Sequence, residues 1–575
     1  MNALLVAINA KFIHTNLAVR NIYHCCKEQV PQNLDMVEFT INQRLPHIID
    51  TLYRQKADIL LFSCYIWNIE YVSQIIDTYH KIHPTAILLV GGPEVSYDPQ
   101  EFLSCHPQVT AVVTGEGEGI VPAVLQTLAD DGGLSSIAGL VYRQGDTLVE
   151  TPVAPPFPMA DIPFSYHDLQ ALSHRIVYFE SSRGCPFRCS YCLSSIAGGV
   201  RFMPLEKVFA QLSIFLEHKV RQVKFVDRTF NCNKAHAMAI WQFLKDHDNG
   251  VTNFHFEIAA HLLDREMLDL LKTIRTEQFQ LEVGVQSTNP RTIDQIKRAT
   301  NTEQLLDICK EIDSYGNIHQ HLDLIAGLPY EDISSFEESF NTVFAIRPQQ
   351  LQLGFLKILK GSQMAQEVAE HHIVYNQHAP FEVLGTKWLT YDHILLLKGV
   401  EDMVERYYNS GRYQNTLRQL LENQPSAYRF FEDLGAYFFA QDYHLSPLSK
   451  EQVHTVLKDF YESHSGAYTP EIKASVLFDI CLKEKPKKFP TWVDPQWSES
   501  QRRDMSQFFA NPDNIDRYLP QYQGEHHSRV SRLAHLQVFD YDVTDPRLPC
   551  QTTHLLFDYD HPDLLGNATY YKVTL

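Results

Sequence analysis

Three cysteines stand close together in the chain, Cys185, Cys189 and Cys192, at the spacing C-x3-C-x2-C. Gly184 and Pro186 flank the first of them and read as a tight turn, which lets three sulfurs converge on one point. Iron–sulfur clusters are held by thiolates in such closely spaced runs. Three thiolates on a four-iron cube leave one iron without a protein ligand, and an open metal position marks a site that binds a reacting molecule. Zinc is the competing reading. It calls for four ligands, commonly two C-x2-C pairs, and no second pair accompanies this run.

The elements that must position these cysteines form a repeating pattern. Apolar runs at 176–180, 223–226, 254–258, 279–284, 318–325 and 351–356 alternate with helical periodicity at 205–217, 234–246, 265–272, 291–298, 302–314 and 333–344. Six such units predict a partial β/α barrel, and function in barrels of this kind gathers at the carboxyl ends of the strands. The cysteine loop follows the first strand. Asp227 to Asn231 follow the second, Glu257 ends the third, Gln286 and Ser287 end the fourth, and Gly327 to Glu331 follow the fifth.

Upstream, the same alternation predicts an independent doubly wound parallel sheet, with strands at 3–8, 36–39, 59–64, 86–90 and 109–114. Ligands of such sheets sit beyond the carboxyl ends of the strands. There the chain carries Ser63, then Gly91-Gly92-Pro93-Glu94, then Gly115-Glu116-Gly117-Glu118. Glycine at these points lets backbone approach a large ligand. A hairpin at 137–150 and a proline-rich linker to Pro163 connect the two sheets.

C-x3-C-x2-C with an aromatic residue before the last cysteine, just after an apolar strand, resembles the radical SAM superfamily. The Gly-Gly-Pro and Gly-Glu-Gly-Glu stretches upstream resemble the cobalamin-binding domain that precedes many radical SAM domains. The resemblance implies a doubly wound cobalamin-type domain at 1–135, a hairpin and linker at 136–170, a radical SAM partial (β/α)6 barrel at 171–362, and a C-terminal domain at 363–575. It implies a [4Fe-4S] cluster on Cys185, Cys189 and Cys192, S-adenosylmethionine (SAM) at the open iron, and cobalamin upstream. By resemblance, Tyr191 would lie near the adenine of SAM. Asp227 and Asn231 take the place of the segment that receives its amino group, in a D-x-x-F-N variant. Glu257 is a further cofactor contact. Gln286 and Ser287 match the ribose side, Arg298 in the helix after the fourth strand would pair the carboxylate, and Gly327 would lie by the adenine. The chain departs from the D-x-H-x-x-G signature of methionine-synthase-like cobalamin domains. His14 stands alone and reads as a loop or packing residue, so the lower ligand of cobalt stays open.

The remaining residues bound the reading. Over 575 residues the formal charge is −20, which argues against general binding to a phosphate backbone. Eleven cysteines are too sparse for a disulfide scaffold. The apolar run at 59–67 is far too short to span a bilayer, and the first residues lack the charged start of a signal peptide. A reduced, cytoplasmic setting is expected. Residues 391–483 read as helical, 486–495 break the pattern, and two echoing runs at 538–542 and 556–560, with 570–575, read as strands of a small sheet. Their Asp-Tyr-Asp pairs invite a metal, but alternation of acid and aromatic usually marks a half-buried strand.

The expected activity is that of a cobalamin-dependent radical SAM enzyme, a C-methyltransferase on an unnamed, small-molecule substrate, served by a flavodoxin- or ferredoxin-type electron donor. Cobalamin-assisted cyclisation or rearrangement is the alternative. A non-catalytic cobalamin or redox sensor would keep the cluster and leave SAM intact. A tRNA methylthiotransferase would need three further cluster cysteines in strand-end loops, and Cys25, Cys26, Cys64 and Cys105 do not fall there.

Overall fold

Alternation of period two writes two apolar faces into the first sheet. The computed structural model describes every residue except 28, 31, 32, 197, 423, 494–496, 498, 564, 565 and 575. The ends of the expected proline break and of the last tail strand therefore lie outside the described residues. Strands β1 (Asn2–Asn9), β2 (Asn33–Thr40), β3 (Ile59–Ser63), β4 (Ile87–Gly91) and β5 (Ala111–Val113) run parallel in the order β2-β1-β3-β4-β5. Leu4, Val6, Leu60 and Phe62 pack on one face with the helices Leu45–Arg54 and Ile69–Ile82. Ala3, Leu5, Ile59 and Leu61 pack on the other with Leu17–Cys26 and Gly117–Ala129. Each large side chain so buried contributes about 1.5–3 kcal/mol. The chain leaves β1 to both sides, which opens a crevice at the carboxyl ends.

The expected hairpin does more than connect. β6 (Leu140–Gln144) pairs antiparallel with β5, and β7 (Thr147–Glu150) with β6, so the sheet grows to seven strands.

The second sheet holds β8 (Val177–Phe179), β11 (Gln222–Phe225), β12 (Asn253–Ile258), β13 (Phe279–Gln286), β14 (His319–Ala326) and β15 (Gln350–Phe355), in the order β15-β14-β13-β12-β11-β8. A pair not foreseen in the sequence, β9 (Ser182–Cys185) with β10 (Gly199–Phe202), frames the cysteine loop. The strand-linking helices include Leu205–Glu217, Lys234–Asp246 and Thr302–Tyr315. The helix expected over 291–298 ends earlier, spanning Pro290–Gln295, because the chain turns at Lys297, whose φ is 54°. Two short strands, β16 (Val374–Tyr375) and β17 (Val383–Gly385), follow.

The chain divides into two compact units, residues 1–336 with 354–391, and residues 337–353 with 392–575. The second unit is mainly helical, with Gln414–Leu421, Ala427–Ala440, Lys450–His464 and Pro470–Lys483 among its helices. Asp479 accepts hydrogen bonds from the backbone N–H groups of Asn415 (3.2 Å) and Thr416 (2.8 Å) at the start of the first of these. The tail forms a three-stranded antiparallel sheet of β18 (Ala534–Phe539), β19 (Thr553–Asp558) and β20 (Thr569–Val573). Its acids have protein partners. Asp558 accepts from Tyr522 Oη and Gln521 Nε2, both at 2.7 Å, and Asp542 pairs with Lys572 at 2.8 Å. Among the described residues no helix is long and apolar enough to cross a membrane.

Candidate active site

The cysteine loop is fixed at its entry by strand pairing and at its middle by backbone bonds. Gly184 lies opposite Val200, and Cys185 opposite Gly199, in the β9–β10 ladder. Gly184 has φ 106°, and a Cβ there would collide with the carbonyl oxygen of Gly199, so only glycine suits the position. Further along, Ser190 N–H donates to Ile296 O (2.9 Å), and Ser190 O accepts from Met364 N–H (2.8 Å). The three cysteines thereby line one cavity of about 190 Å³ with Tyr191, Arg228, Glu257, Glu282, Gln286, Arg298 and Asp323. Arg298 Nη1 reaches Cys189 Sγ at 3.8 Å and Tyr191 Oη at 3.2 Å, while Nη2 donates to Gly284 O. Burial pushes the Cys189 thiol up, and the Arg298 guanidinium opposes that shift.

Of the expected SAM contacts, Tyr191, Glu257, Gln286 and Arg298 face this cavity. Arg298 does so from the turn after its helix rather than from within it. Four others are placed elsewhere. Asp227 is fully buried and accepts from Ser181 N–H (2.9 Å), Ser181 Oγ (2.6 Å) and Ser182 Oγ (2.7 Å). It anchors the entry to the loop, and burial pushes its carboxyl up to about 7 against those three bonds. Asn231 spends its amide on the backbone of Ala259, donating to its carbonyl and accepting from its N–H, each at 2.9 Å. Ser287 is buried and donates to Glu331 Oε1 at 2.6 Å. Gly327 is glycine for packing, since a Cβ would meet the Val383 side chain at 2.7 Å. Cys232, in the short turn Phe230–Cys232, does not line the cavity either.

A second cavity, of about 480 Å³, opens at the carboxyl ends of the first sheet. Ser63, Gly91, Gly92, Pro93, Gly115, Glu116 and Gly117 all line it, with apolar Leu5, Ile22, Leu61 and Val121. Glu94 is not in its wall. It is buried behind the turn, and burial raises its carboxyl. A third cavity, of about 490 Å³, shares Tyr65, Glu118, Glu180 and Arg183 with the second and Arg228 with the cysteine cavity. The third cavity thus neighbours both of the others. His14 lines the third, with Nδ1 at 2.7 Å from Tyr178 Oη, and Tyr65 stacks on Trp67 with ring centroids 4.4 Å apart.

One residue ties the two loops together. Arg183, two positions before Cys185, pairs with Glu116 (3.1 Å) and Glu118 (2.8 Å) of the upstream glycine loop, and with Glu180 (2.7 Å). Burial alone would lower its guanidinium, but Glu180 and Glu118 hold it above its ordinary value. Arg201 of β10 also pairs with Glu116. Burial would raise the Glu116 carboxyl, and Arg201 with Arg183 brings it below the usual range.

The sequence reading missed the cavity floor. Glu282 and Asp323 line it, and Lys224, His255 and His321 stand against them. The signal lay in the strands themselves, where His255-x-Glu257 and His319-x-His321-x-Asp323 put an ionisable group at every second position.

A B12-binding domain model matches residues 3–125, a radical SAM superfamily model residues 179–343, and a model described as a protein of unknown function (DUF4080) residues 369–557. An uncharacterised methyltransferase of Pyrococcus horikoshii is 24% identical over 332 residues, which is 55% of this chain and 69% of that protein. The cobalamin-dependent radical SAM methyltransferase TokK of Streptomyces tokunonensis is 26% identical over 309 residues, 50% of this chain and 45% of that one, so the match spans less than half of that relative. Among solved structures, the cobalamin-dependent S-adenosylmethionine radical enzyme OxsB, with aqua-cobalamin and S-adenosylmethionine bound, superposes with a TM-score of 0.59 at 15% identity, over 83% of this chain and 78% of that one. The chain therefore combines a B12-binding domain, a radical SAM domain and a DUF4080 domain, in that order, and with the first two go the cofactors of a cobalamin-dependent radical SAM enzyme: a [4Fe-4S] cluster, S-adenosylmethionine and cobalamin.

Proposed function

We propose that this chain is a cobalamin-dependent radical SAM methyltransferase that places a methyl group on carbon in a small-molecule substrate. The observation that carries the reading is the pairing of a cavity lined by three thiols with a glycine-walled apolar cavity, and a third cavity that shares lining residues with both. The residues present fit the cofactors. Three thiols on one cavity are the donor set of an iron–sulfur cluster. Cobalamin's pocket would be the apolar cavity walled by Gly91, Gly92, Gly115 and Gly117. When bound, the cluster with SAM supplies one-electron chemistry, and cobalamin supplies carriage of a group.

The chain's own contribution is holding and orienting. Cys185, Cys189 and Cys192 would hold the cluster. Arg298, with a buried guanidinium, would pair a carboxylate and already sets positive charge beside Cys189. Glu257 and Gln286, on the same cavity, would receive donors from the cofactor, and Tyr191 would lie near its adenine. Asp227 positions rather than touches, because its oxygens are engaged by Ser181 and Ser182. A cytoplasmic, oxygen-poor setting and a flavodoxin- or ferredoxin-type donor go with this reading.

The test is anaerobic reconstitution of the full chain with iron, sulfide and hydroxocobalamin, followed by dithionite and SAM. The expected products are 5′-deoxyadenosine and S-adenosylhomocysteine, both lost when Cys185, Cys189 and Cys192 are replaced by Ala. Deoxyadenosine without S-adenosylhomocysteine would replace methyl transfer by cyclisation or rearrangement. A fully loaded, reduced protein that leaves SAM intact would overturn the enzyme reading.

A further inference from the structure

We propose that the floor of the second sheet is a binding site for a divalent first-row transition metal, held by His255, Glu282 and His321 and separate from the cysteine loop. The three come from successive strands, β12, β13 and β14, and register places Glu282 directly beside His321. One ligand atom from each lies within 4.8 Å of the other two. Ligands bound at about 2.0–2.1 Å from a common centre stand no more than about 4.2 Å apart, so small side-chain movements close the set. The donor chemistry is two imidazoles and one carboxylate, which suits zinc in open sites and non-haem Fe(II).

A second observation points to an absent occupant. His255 and His321 are each 6% exposed, yet the Nε2 atom of each lacks an aligned hydrogen-bond partner, as does Oδ1 of Asp323. Their neighbours are nonetheless close. His255 Nε2 stands 2.8 Å from Glu282 Oε2, and His321 Nε2 stands 3.1 Å from Asp323 Oδ1. Short separations without alignment mean that neither contact is a well-formed hydrogen bond. Such a pair can instead point at a common third position, which is the arrangement of ligands around an ion. Buried polar atoms left in this state are rare and call for an explanation.

Lys224 is the competing cation. Its Nζ donates to the same Glu282 Oε2 at 2.9 Å and supplies positive charge when no metal is bound. A metal must share Glu282 with it, so Lys224 weakens the site. Glu282 and Asp323 also line the cysteine cavity, which gives the metal an entry path and leaves coordination positions open toward that space.

The test uses the full chain with Cys185, Cys189 and Cys192 replaced by Ala, so that the thiols take up no metal, and Zn²⁺ as the probe. Equilibrium dialysis with metal analysis is expected to give one Zn²⁺ per chain. His255→Ala with His321→Ala should weaken binding at least 10-fold, His321→Gln should do so while keeping the side-chain volume, and Lys224→Met should strengthen it several-fold. X-ray absorption of the bound zinc should show two imidazole nitrogens. Failure of the Cys-free chain to retain zinc overturns the proposal. So does binding that is unchanged in the His variants while their circular dichroism matches the parent. Neither outcome depends on cluster, SAM or cobalamin, so the site and the methyltransferase reading fail separately.

Discussion

The two parallel sheets are built from the same repeat and put to opposite use. In the first, both faces are apolar, and the ligand space lies only beyond the strand ends. In the second, one face is apolar through Val223, Phe225, Phe256 and Leu281, while the other carries a lattice of ionisable groups. Tyr178, Lys224, His255, Gln280 and His319 stand in one row across the strands, and Glu257, Glu282 and His321 in the next. The difference teaches where each sheet keeps its chemistry. The first is a frame whose edge loops act. The second is itself a wall of the cavity, with charge held in place by charge.

Substitutions can break or sharpen that contrast. Phe62→Ala, in the frame, is expected to have the largest effect, about 3–5 kcal/mol by denaturant unfolding of the cofactor-free chain, since Phe62 is only 2% exposed. Gly184→Ala should follow at about 3 kcal/mol, from left-handed strain plus the collision with Gly199, and it should abolish cluster absorbance near 400 nm, roughly the range of Cys-ligated clusters. Glu282→Leu alone should cost about 2 kcal/mol, because it leaves Lys224 without its closest partner, whereas Lys224→Met with Glu282→Leu should come within about 1 kcal/mol of the parent. A double variant as damaging as Phe62→Ala would show that the polar face is core after all, and the contrast would fall.

The smallest effect concerns pH in the frame. Burial, with His167 next, pushes His24 on the helix Leu17–Cys26 down to about 4. The unfolded chain then binds this proton more readily than the folded one. The stability His24 contributes is present above pH 6.5 and lost as pH falls from there through about 4. For a half-buried group the loss at pH 5 should be about 1 kcal/mol after screening. His24→Phe should flatten that part of the pH profile of thermal unfolding, and an unchanged slope would move the acid response to other groups.

Much of this was legible in the chain. Alternating apolar runs marked the strands and helices of both repeats, and the cysteine spacing with the glycine pairs marked stretches that line two cavities. Some residues were beyond that reading because their partners are remote in sequence. Asp227 looked like a cavity residue at a strand end, and only the fold reveals Ser181 and Ser182 reaching it from 46 and 45 residues away. Ser287 is drawn off by Glu331 in the same way, across 44 residues. The β9–β10 pair was missed because its strands are four residues each and flank a loop rich in turn formers. The polar face was written in plain alternation, but its meaning depends on register, which a single strand cannot supply.

Arg183 carries a consequence for the order in which the protein is loaded. It is shared between the loop that walls the apolar pocket and the loop that presents the thiols. A ligand that changes how Glu116 and Glu118 hold this guanidinium also changes the free energy of the cysteine loop. Thermodynamic reciprocity then requires that filling the thiol end alter affinity at the glycine end by an equal factor. The two ends are thus made to report on each other through Arg183, with Arg201 as a second link to Glu116. Neutralising Arg183 would weaken that exchange of information and leave Arg201 as the remaining tie.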